Sequence, residues 1–221
     1  MNTNIKKRIY TSIILFLIVF TMLINNYFLG YFLIIISIFS ILEFIRMTMK
    51  IYSKEKIKAF LLNSFFVIYI FIFSSIFLMF SNFFHFKILL FILLFTCIAS
   101  DIGGFVFGKF FKGPKLSKIS PNKTISGSIG SLIFCLIPTL ILFLDLSYLS
   151  NTKYLTLIIL SLLTSVVSQG GDLTISLIKR KAKVKDTGSL LPGHGGILDR
   201  VDGIIFALPA STILLLIINL L

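Results

Sequence analysis

The sequence predicts an all-α polytopic membrane protein with seven transmembrane helices, a cytoplasmic N-terminus and an external C-terminus. Three observations carry this: an apolar composition, apolar runs of spanning length, and one-sided placement of the basic residues. Of the 221 residues, 57% are hydrophobic and 13% charged, and the mean hydropathy is +1.05. A soluble domain runs nearer half apolar and a quarter charged. A helix needs about 20 apolar residues to cross about 30 Å of hydrocarbon. Seven stretches come close: residues 9–24, 27–45, 60–80, 87–108, 127–145, 154–175 and 201–221.

The first stretch follows Lys6-Lys7-Arg8, as a secretory signal would. No small-residue cleavage site follows it; Asn25-Asn26-Tyr27 leads straight into the second stretch, so a retained anchor is expected. With the N-terminus inside, alternate loops collect the basic residues: Arg46, Lys50, Lys54, Lys56 and Lys58, then Lys109, Lys112, Lys115, Lys118 and Lys123, then Lys179, Arg180, Lys181, Lys183, Lys185 and Arg200. Only Lys87 and Lys153 fall outside. A missed or extra span before residue 175 would scramble this alternation, which the positive-inside rule rewards.

The formal charge is +13, from 21 Lys and Arg against 8 Asp and Glu. In a soluble protein that excess would suggest nucleic acid as a partner. Here the bases sit in short stretches between apolar runs, with no basic arm, so nucleic acid is not expected. Topology accounts for them, with anionic lipid or nucleotide phosphate as ligands. Cys97 and Cys135 lie inside apolar runs without a CxxC or Cys/His partner, and read as free, buried thiols. Residues 1–95 form a plain set of N-terminal helices, lipid-facing and packing, whose only acids are Glu43 and Glu55. Residues 96–221 hold the other acids, most of the glycines and all five prolines, and read as the catalytic region.

Asp101, Asp172, Asp186, Asp199 and Asp202 lie in or beside Gly-rich stretches on the predicted cytoplasmic side. An ionisable group at membrane depth costs about 2.5–3.5 kcal/mol on insertion scales, so each is a functional candidate. A short Asp among glycines has little reach to snorkel away. Asp172, Ser176 and Lys179 are spaced to share one helix face, with Arg180 about 100° further round. Asp199 and Asp202 stand one above the other at the start of the last span. Between Asp172 and Asp199, Pro192-Gly193-His194-Gly195-Gly196 cannot be helical throughout, and its glycines permit close backbone approach to a ligand. Carboxylates from two helices, with Lys and Arg beside them, fit Mg²⁺ holding a polyphosphate, since Mg²⁺ takes one or two carboxylates plus phosphate oxygens. These are the ingredients of phosphoryl or nucleotidyl transfer.

A second stretch runs from Ser100-Asp101-Ile102-Gly103-Gly104 to Ser120-Pro121-Asn122-Lys123-Thr124, and its Lys-rich, acid-free loop suits an anionic ligand. It is not a P-loop, because GxxxxGK[ST] does not occur. Ser126-Gly127-Ser128-Ile129-Gly130 is expected to let helices pack closely. His194 could donate to phosphate, act as a general acid or base, or make a structural hydrogen bond. Zinc is disfavoured for want of a second His or Cys at ligand spacing. Glu43 is either a polar packing contact or an approach to the site, and the sequence leaves that open.

The run Ser176-Leu177-Ile178-Lys179-Arg180, then Lys185-Asp186-Thr187-Gly188, then Leu191-Pro192-Gly193-His194-Gly195-Gly196-Ile197-Leu198-Asp199-Arg200-Val201-Asp202 closely resembles the signature of the phosphatidate cytidylyltransferases, or CDP-diacylglycerol synthases. Asp101-x-Gly-Gly-Phe and Ser120 to Thr124 resemble that family's upstream block, in the right order. The matching region covers roughly residues 96–210, about half the chain. The resemblance implies that CTP and phosphatidic acid give CDP-diacylglycerol and pyrophosphate at the cytoplasmic face of a bacterial-type inner membrane. It maps the family's metal-binding acids onto Asp172 and Asp199, and the last acid of the signature onto Asp202. Lys179, Arg180, Lys185 and Arg200 fall at positions suited to the CTP phosphates or the phosphatidate head group, and Lys123 at the basic residue of the upstream block. Asp186 and His194 join the catalytic candidates. Asp101, Ser120, Lys123, Thr124, Ser176, Gly195 and Gly196 are the substrate-binding candidates.

The resemblance also implies Mg²⁺ and a second cation, such as K⁺, at the paired acids. Partners are CTP, phosphatidic acid and membrane lipids, with a homodimer left open. Two departures stand out: the N-terminal half looks shortened, and Ser100, Ile102 and Phe105 replace the usual Ala, Thr and Tyr. The expected mechanism is one in-line displacement, with an anionic phosphatidate oxygen attacking the α-phosphorus of CTP. A CTP-dependent polyprenol or lipid kinase, or a related lipid cytidylyltransferase, is the nearest alternative. The DGxxAR pattern of CDP-alcohol phosphotransferases is absent. A transporter would place its acids and broken helices at the midplane rather than toward one face.

Overall fold

The computed structural model describes the backbone of residues 3–117, 120, 123–145 and 151–220, with side chains described over 9–117, 120, 123–141 and 155–217. Lys118, Pro121 and Asn122, and the side chains of Lys6, Lys7, Arg8 and Lys153, lie outside the described residues. The described residues are almost all helical, with no strand among them. In order the helices are α1 (Thr3–Ile24), α2 (Asn26–Ile51), α3 (Lys56–Ser81), α4 (Phe84–Phe111), α5 (Ile125–Phe134), α6 (Leu136–Asp145), α7 (Asn151–Lys181) and α8 (Leu198–Leu220).

Among the described residues, five helices are long and apolar enough to cross a membrane: Asn26–Ile51, Lys56–Ser81, Phe84–Phe111, Leu155–Lys181 and Leu198–Ile217. The other two expected stretches coincide with shorter apolar segments, Ile9–Ile24 and Ile125–Ile141. The second of these is split at Cys135 into α5 and α6. Pro138 gives the reason: it lacks the N–H that would bond back four residues, to the last residue of α5, and its ring crowds that carbonyl. Large apolar side chains stand outward, among them Phe60 (69% exposed) and Phe71 (72% exposed) on α3. That is the reverse of a soluble helix and suits hydrocarbon surroundings. This is a helical membrane protein.

The chain forms two compact units, Met1–Ile88 with Leu177–Val201, and Leu89–Ser176 with Asp202–Leu221. In the first, α2 starts where Asn25 leaves α1 in an extended conformation and accepts the Tyr27 N–H on its side chain at 2.8 Å. α2 and α3 pack along their length. The Phe44 and Phe66 rings stack with centroids 3.8 Å apart, Ser37 and Ser74 share a hydrogen bond of 2.8 Å, and Thr48 donates to Asn63 at 2.6 Å. The Gly-rich segment after α7 belongs to this unit and lies against α2.

In the second unit, small residues let helix backbones approach. A Cβ on Gly127 would stand 2.8 Å from the Gly104 carbonyl oxygen, and one on Gly130 would run into the Phe107 side chain and the Gly103 carbonyl. The close α4–α5 packing expected from Ser126–Gly130 is therefore present, with Gly103 and Gly104 as the facing surface. α7 and α8 meet in the same way: a Cβ on Gly171 would stand 2.9 Å from the Asp202 carbonyl oxygen, and one on Gly203 would strike Ser168. Buried hydroxyls join the helices, with Ser100 to Ser165 at 2.8 Å and Thr164 to Ser211 at 2.7 Å.

Candidate active site

The sequence-predicted residues gather at two places, one in each unit. In the second unit a cleft of about 250 Å³ is lined by Asp101, Lys123, Thr124, Ser128, Gln169 and Asp172, together with Gly104 and Phe105 of α4, Gly127 of α5 and Leu116 of the loop between them. Thr124 caps α5, its hydroxyl accepting the Gly127 N–H at 3.1 Å, and so fixes the end of the basic loop. Ser120 shapes the same loop rather than lining the cleft, its carbonyl accepting the Lys123 N–H at 3.1 Å. Lys123 pairs directly with Asp172. The Asp172 side chain keeps 31% of its surface exposed, and its Oδ1 lies 3.5 Å from the Ser176 hydroxyl one turn along α7. Asp172 thus retains oxygen lone pairs facing the cleft. The chemistry of that donor set suits a hard cation that keeps waters and phosphate oxygens.

Gln169 was not singled out by sequence reasoning. It lies three residues before Asp172, hence on the same face of α7. Its carboxamide is oriented by Ser128, which donates to Oε1, and by Ser165, which accepts from Nε2 at 3.3 Å. The i, i+3 spacing was the available signal.

In the first unit, Asp199 sits in the first turn of α8 with 6% of its side chain exposed. Its Oδ1 accepts from Lys179 Nζ at 2.7 Å. Its Oδ2 accepts the backbone N–H groups of Thr187 at 2.8 Å and Gly196 at 3.0 Å, and the Thr187 hydroxyl at 3.0 Å. Gly196 ends the glycine turn, which closes on itself through Leu191 and Gly195, each N–H donating to the other's carbonyl at 2.9 and 3.1 Å, and Thr187 lies four residues before that closure. Gly193 (φ 80°) and Gly195 (φ 85°) adopt the left-handed conformation that glycine enters without strain. Oδ2 is engaged by three donors, whereas Oδ1 accepts from Lys179 and is the oxygen better placed to meet a cation.

The remaining candidates fall around this turn. His194 is tied by its ring to the Thr11 hydroxyl of α1. Its carbonyl accepts from Arg200 Nε at 3.1 Å and Nη2 at 2.8 Å, so the Arg200 guanidinium braces the turn. Asp186 packs against Gly195, where a Cβ would stand 3.3 Å from its own. Arg180 and Lys185 are exposed at the end of α7 and beyond it. Asp202 is buried and accepts the Gly203 N–H at 3.0 Å. Among the described residues no group of three or more His, Cys, Asp or Glu stands ready to hold a metal.

Glu43, left open by the sequence, is 1% exposed. It accepts from the Thr187 hydroxyl at 2.6 Å, Leu198 N–H at 2.9 Å and Ile197 N–H at 3.1 Å. Its standing as the sole acid of an apolar span was the signal that could have found it.

A family model described as the cytidylyltransferase family matches residues 7–218. Among named relatives, a phosphatidate cytidylyltransferase of a Synechocystis species is 46% identical over 123 residues, covering 53% of this chain and 40% of that protein. One from Staphylococcus saprophyticus is 43% identical over 118 residues, covering 53% of this chain and 45% of that protein. One from Rickettsia felis is 43% identical over 127 residues, covering 53% and 55%. The chain thus spans about half the length of the curated relatives it matches. With the glycine turn, its carboxylates and their lysines in place, and a match running almost end to end, this chain belongs to the cytidylyltransferase family.

Proposed function

We propose that this protein is a phosphatidate cytidylyltransferase, joining CTP and phosphatidic acid to give CDP-diacylglycerol and pyrophosphate. The observation that carries this reading is the Asp172–Lys123 pair lining the cleft, in a chain of this family. A carboxylate and an ammonium side by side, both part-exposed, can serve a cation and a phosphate respectively. The named relatives supply the substrate class, and the signature from Ser176 to Asp202 supports it.

A phosphatidate phosphate oxygen, already anionic at neutral pH, forms the new bond to the α-phosphorus of CTP. The bond from that phosphorus to the bridging oxygen breaks, and pyrophosphate leaves with the electron pair. No protein nucleophile or strong base is required; the chain must position two polyanions and offset their charge. Lys123 and Thr124 line the cleft for the nucleotide phosphates, while Arg180 and Lys185 are free to meet anions arriving at the surface. Asp172 and Asp199 are the assigned Mg²⁺ ligands, from the resemblance and from each carboxylate's own surroundings. The chemistry that bound Mg²⁺ supplies is neutralisation of phosphate and leaving-group charge. Lys123 and Lys179 are paired with these carboxylates, and their ammonium groups would be available to phosphate where Mg²⁺ took their place.

We place the chain in a bacterial-type inner membrane, with seven spans, the N-terminus and site cytoplasmic and the C-terminus external, on the distribution of Lys and Arg. The deciding assay uses purified protein in detergent with phosphatidic acid, CTP and Mg²⁺. Cytidine label entering lipid with pyrophosphate release is the expected result. Transfer of a γ-phosphate label to a lipid alcohol would make the protein a kinase, and transfer of neither would overturn the reading.

A further inference from the structure

We infer that Glu43, on a helix far from the signature in sequence, is a positioning residue that sets the geometry of Asp199 through Thr187. The inference deepens the proposed function, since it rests on Asp199 being a metal ligand of that site.

Glu43 is 1% exposed and satisfied by three donors, none of them a charged side chain. Two are the N–H groups of Ile197 and Leu198, where α8 begins. The first N–H groups of a helix have no partner within it, and a carboxylate there is favoured by the helix dipole. Here the cap comes from a separate helix, so Glu43 fixes the start of α8, and with it the residue that follows, Asp199. The third donor is the Thr187 hydroxyl. Its single proton is shared between Glu43 Oε2 at 2.6 Å and Asp199 Oδ2 at 3.0 Å. The Thr187 N–H also donates to Asp199 Oδ2. Thr187 therefore sits between two carboxylates and holds both, turning Asp199 so that Oδ1 faces Lys179.

The glycines of the turn fit this arrangement. A Cβ on Gly196 would collide with the Thr187 hydroxyl and both Glu43 oxygens, and one on Gly188 would collide with the same carboxylate, standing 2.9 Å from its Cδ. The close approach that these two glycines permit is to a carboxylate of the chain itself. A buried acid that served only to join helices would not need two glycines in the signature segment to clear its path.

Removing a hydrogen-bond partner that orients a metal ligand costs about 10–100-fold in metal affinity or activity. The test uses Mn²⁺ as the probe, its binding to the full-length protein in detergent followed by electron paramagnetic resonance, beside the cytidine-transfer assay. Asp199→Asn must first weaken Mn²⁺ binding; if it does not, or if the wild type binds no Mn²⁺, the inference falls. Glu43→Gln keeps the shape but turns an amide N–H toward one of the donors, and is expected to weaken Mn²⁺ binding by about 10-fold or more. Thr187→Val, which leaves the cap on α8 intact, should do the same, and Thr187→Ser should restore it. If Glu43→Gln fails to fold, the Thr187 pair decides alone. Mn²⁺ affinity within twofold of wild type in Thr187→Val would overturn the inference even if cytidine transfer is robust. Loss of Mn²⁺ binding in these variants of a wild type that transfers no cytidine would sustain it while the enzyme reading fails.

Discussion

Asp172 and Asp199 each have a lysine partner, yet their surroundings differ enough to separate stability from activity. Lys179 and Asp199 are 15% and 6% exposed, and Lys123 and Asp172 are 27% and 31% exposed. Breaking a buried pair from one side costs about 3–5 kcal/mol. Lys179→Met should fall at the low end, about 3 kcal/mol, because Thr187 and Gly196 still donate to Asp199. Lys123→Met should stay within about 1 kcal/mol, as a partly solvated pair. Thermal unfolding in detergent checks the contrast; equal losses would contradict the assigned environments. Asp172→Asn and Asp199→Asn should each lower cytidine transfer by at least about 100-fold while the protein still inserts. Turnover at wild-type rates in either variant would remove that carboxylate from the proposed metal site. The sequence made the Asp172–Ser176 register visible, because it lies on one helix. It could not show that Glu43 meets Thr187 across 144 residues, since periodicity carries no information about which helices are neighbours.

At the scale of the element, the apolar runs were legible as helices and their glycines as close-packing positions. The break at Cys135 was less so, because hydropathy stays high across it and only Pro138 marks it. The glycines divide into those with a neighbour and those without. A Cβ on Gly130 meets Phe107 and stands 2.7 Å from the Gly103 carbonyl oxygen, which no rotamer change relieves; one on Gly170 meets nothing within 4 Å. Gly130→Ala should therefore destabilise by about 1–3 kcal/mol, as overpacking does. Gly170→Ala should be neutral or stabilise by up to about 1 kcal/mol, as expected for Ala over Gly within a helix. Melting temperatures of the two variants measured side by side test this, and a neutral Gly130→Ala would mean that α4 and α5 are not in close contact.

For the whole molecule, the strongest statement the sequence makes is topological, through the near-exclusive placement of Lys and Arg in alternate loops. Cys97 and Cys135 are buried, at 1% and 0% exposure, so neither should react with a membrane-impermeant maleimide. Single cysteines can then be introduced against a silent background. A cysteine replacing His194 should label only from the cytoplasmic side, and one replacing Asn151 only from outside. The reverse pattern would overturn the orientation. The family was legible because the signature is one contiguous segment, whereas the division of its carboxylates between two compact units was not, because α7 and α8 each run from one unit into the other.

The space that Glu43 claims beside Gly188 and Gly196 has an evolutionary consequence. These three positions cannot drift independently, because any side chain at either glycine must displace a carboxylate that is itself anchored at three points. Gly188→Ala should be severely damaging alone but less so on a Glu43→Ala background, because the atoms that its Cβ would strike all belong to the Glu43 side chain, giving strong positive epistasis between residues 145 positions apart. A double-mutant cycle on expression and melting temperature measures it, and strict additivity would refute it. A descendant lineage could abandon this acid only by rewriting the glycine turn at the same time.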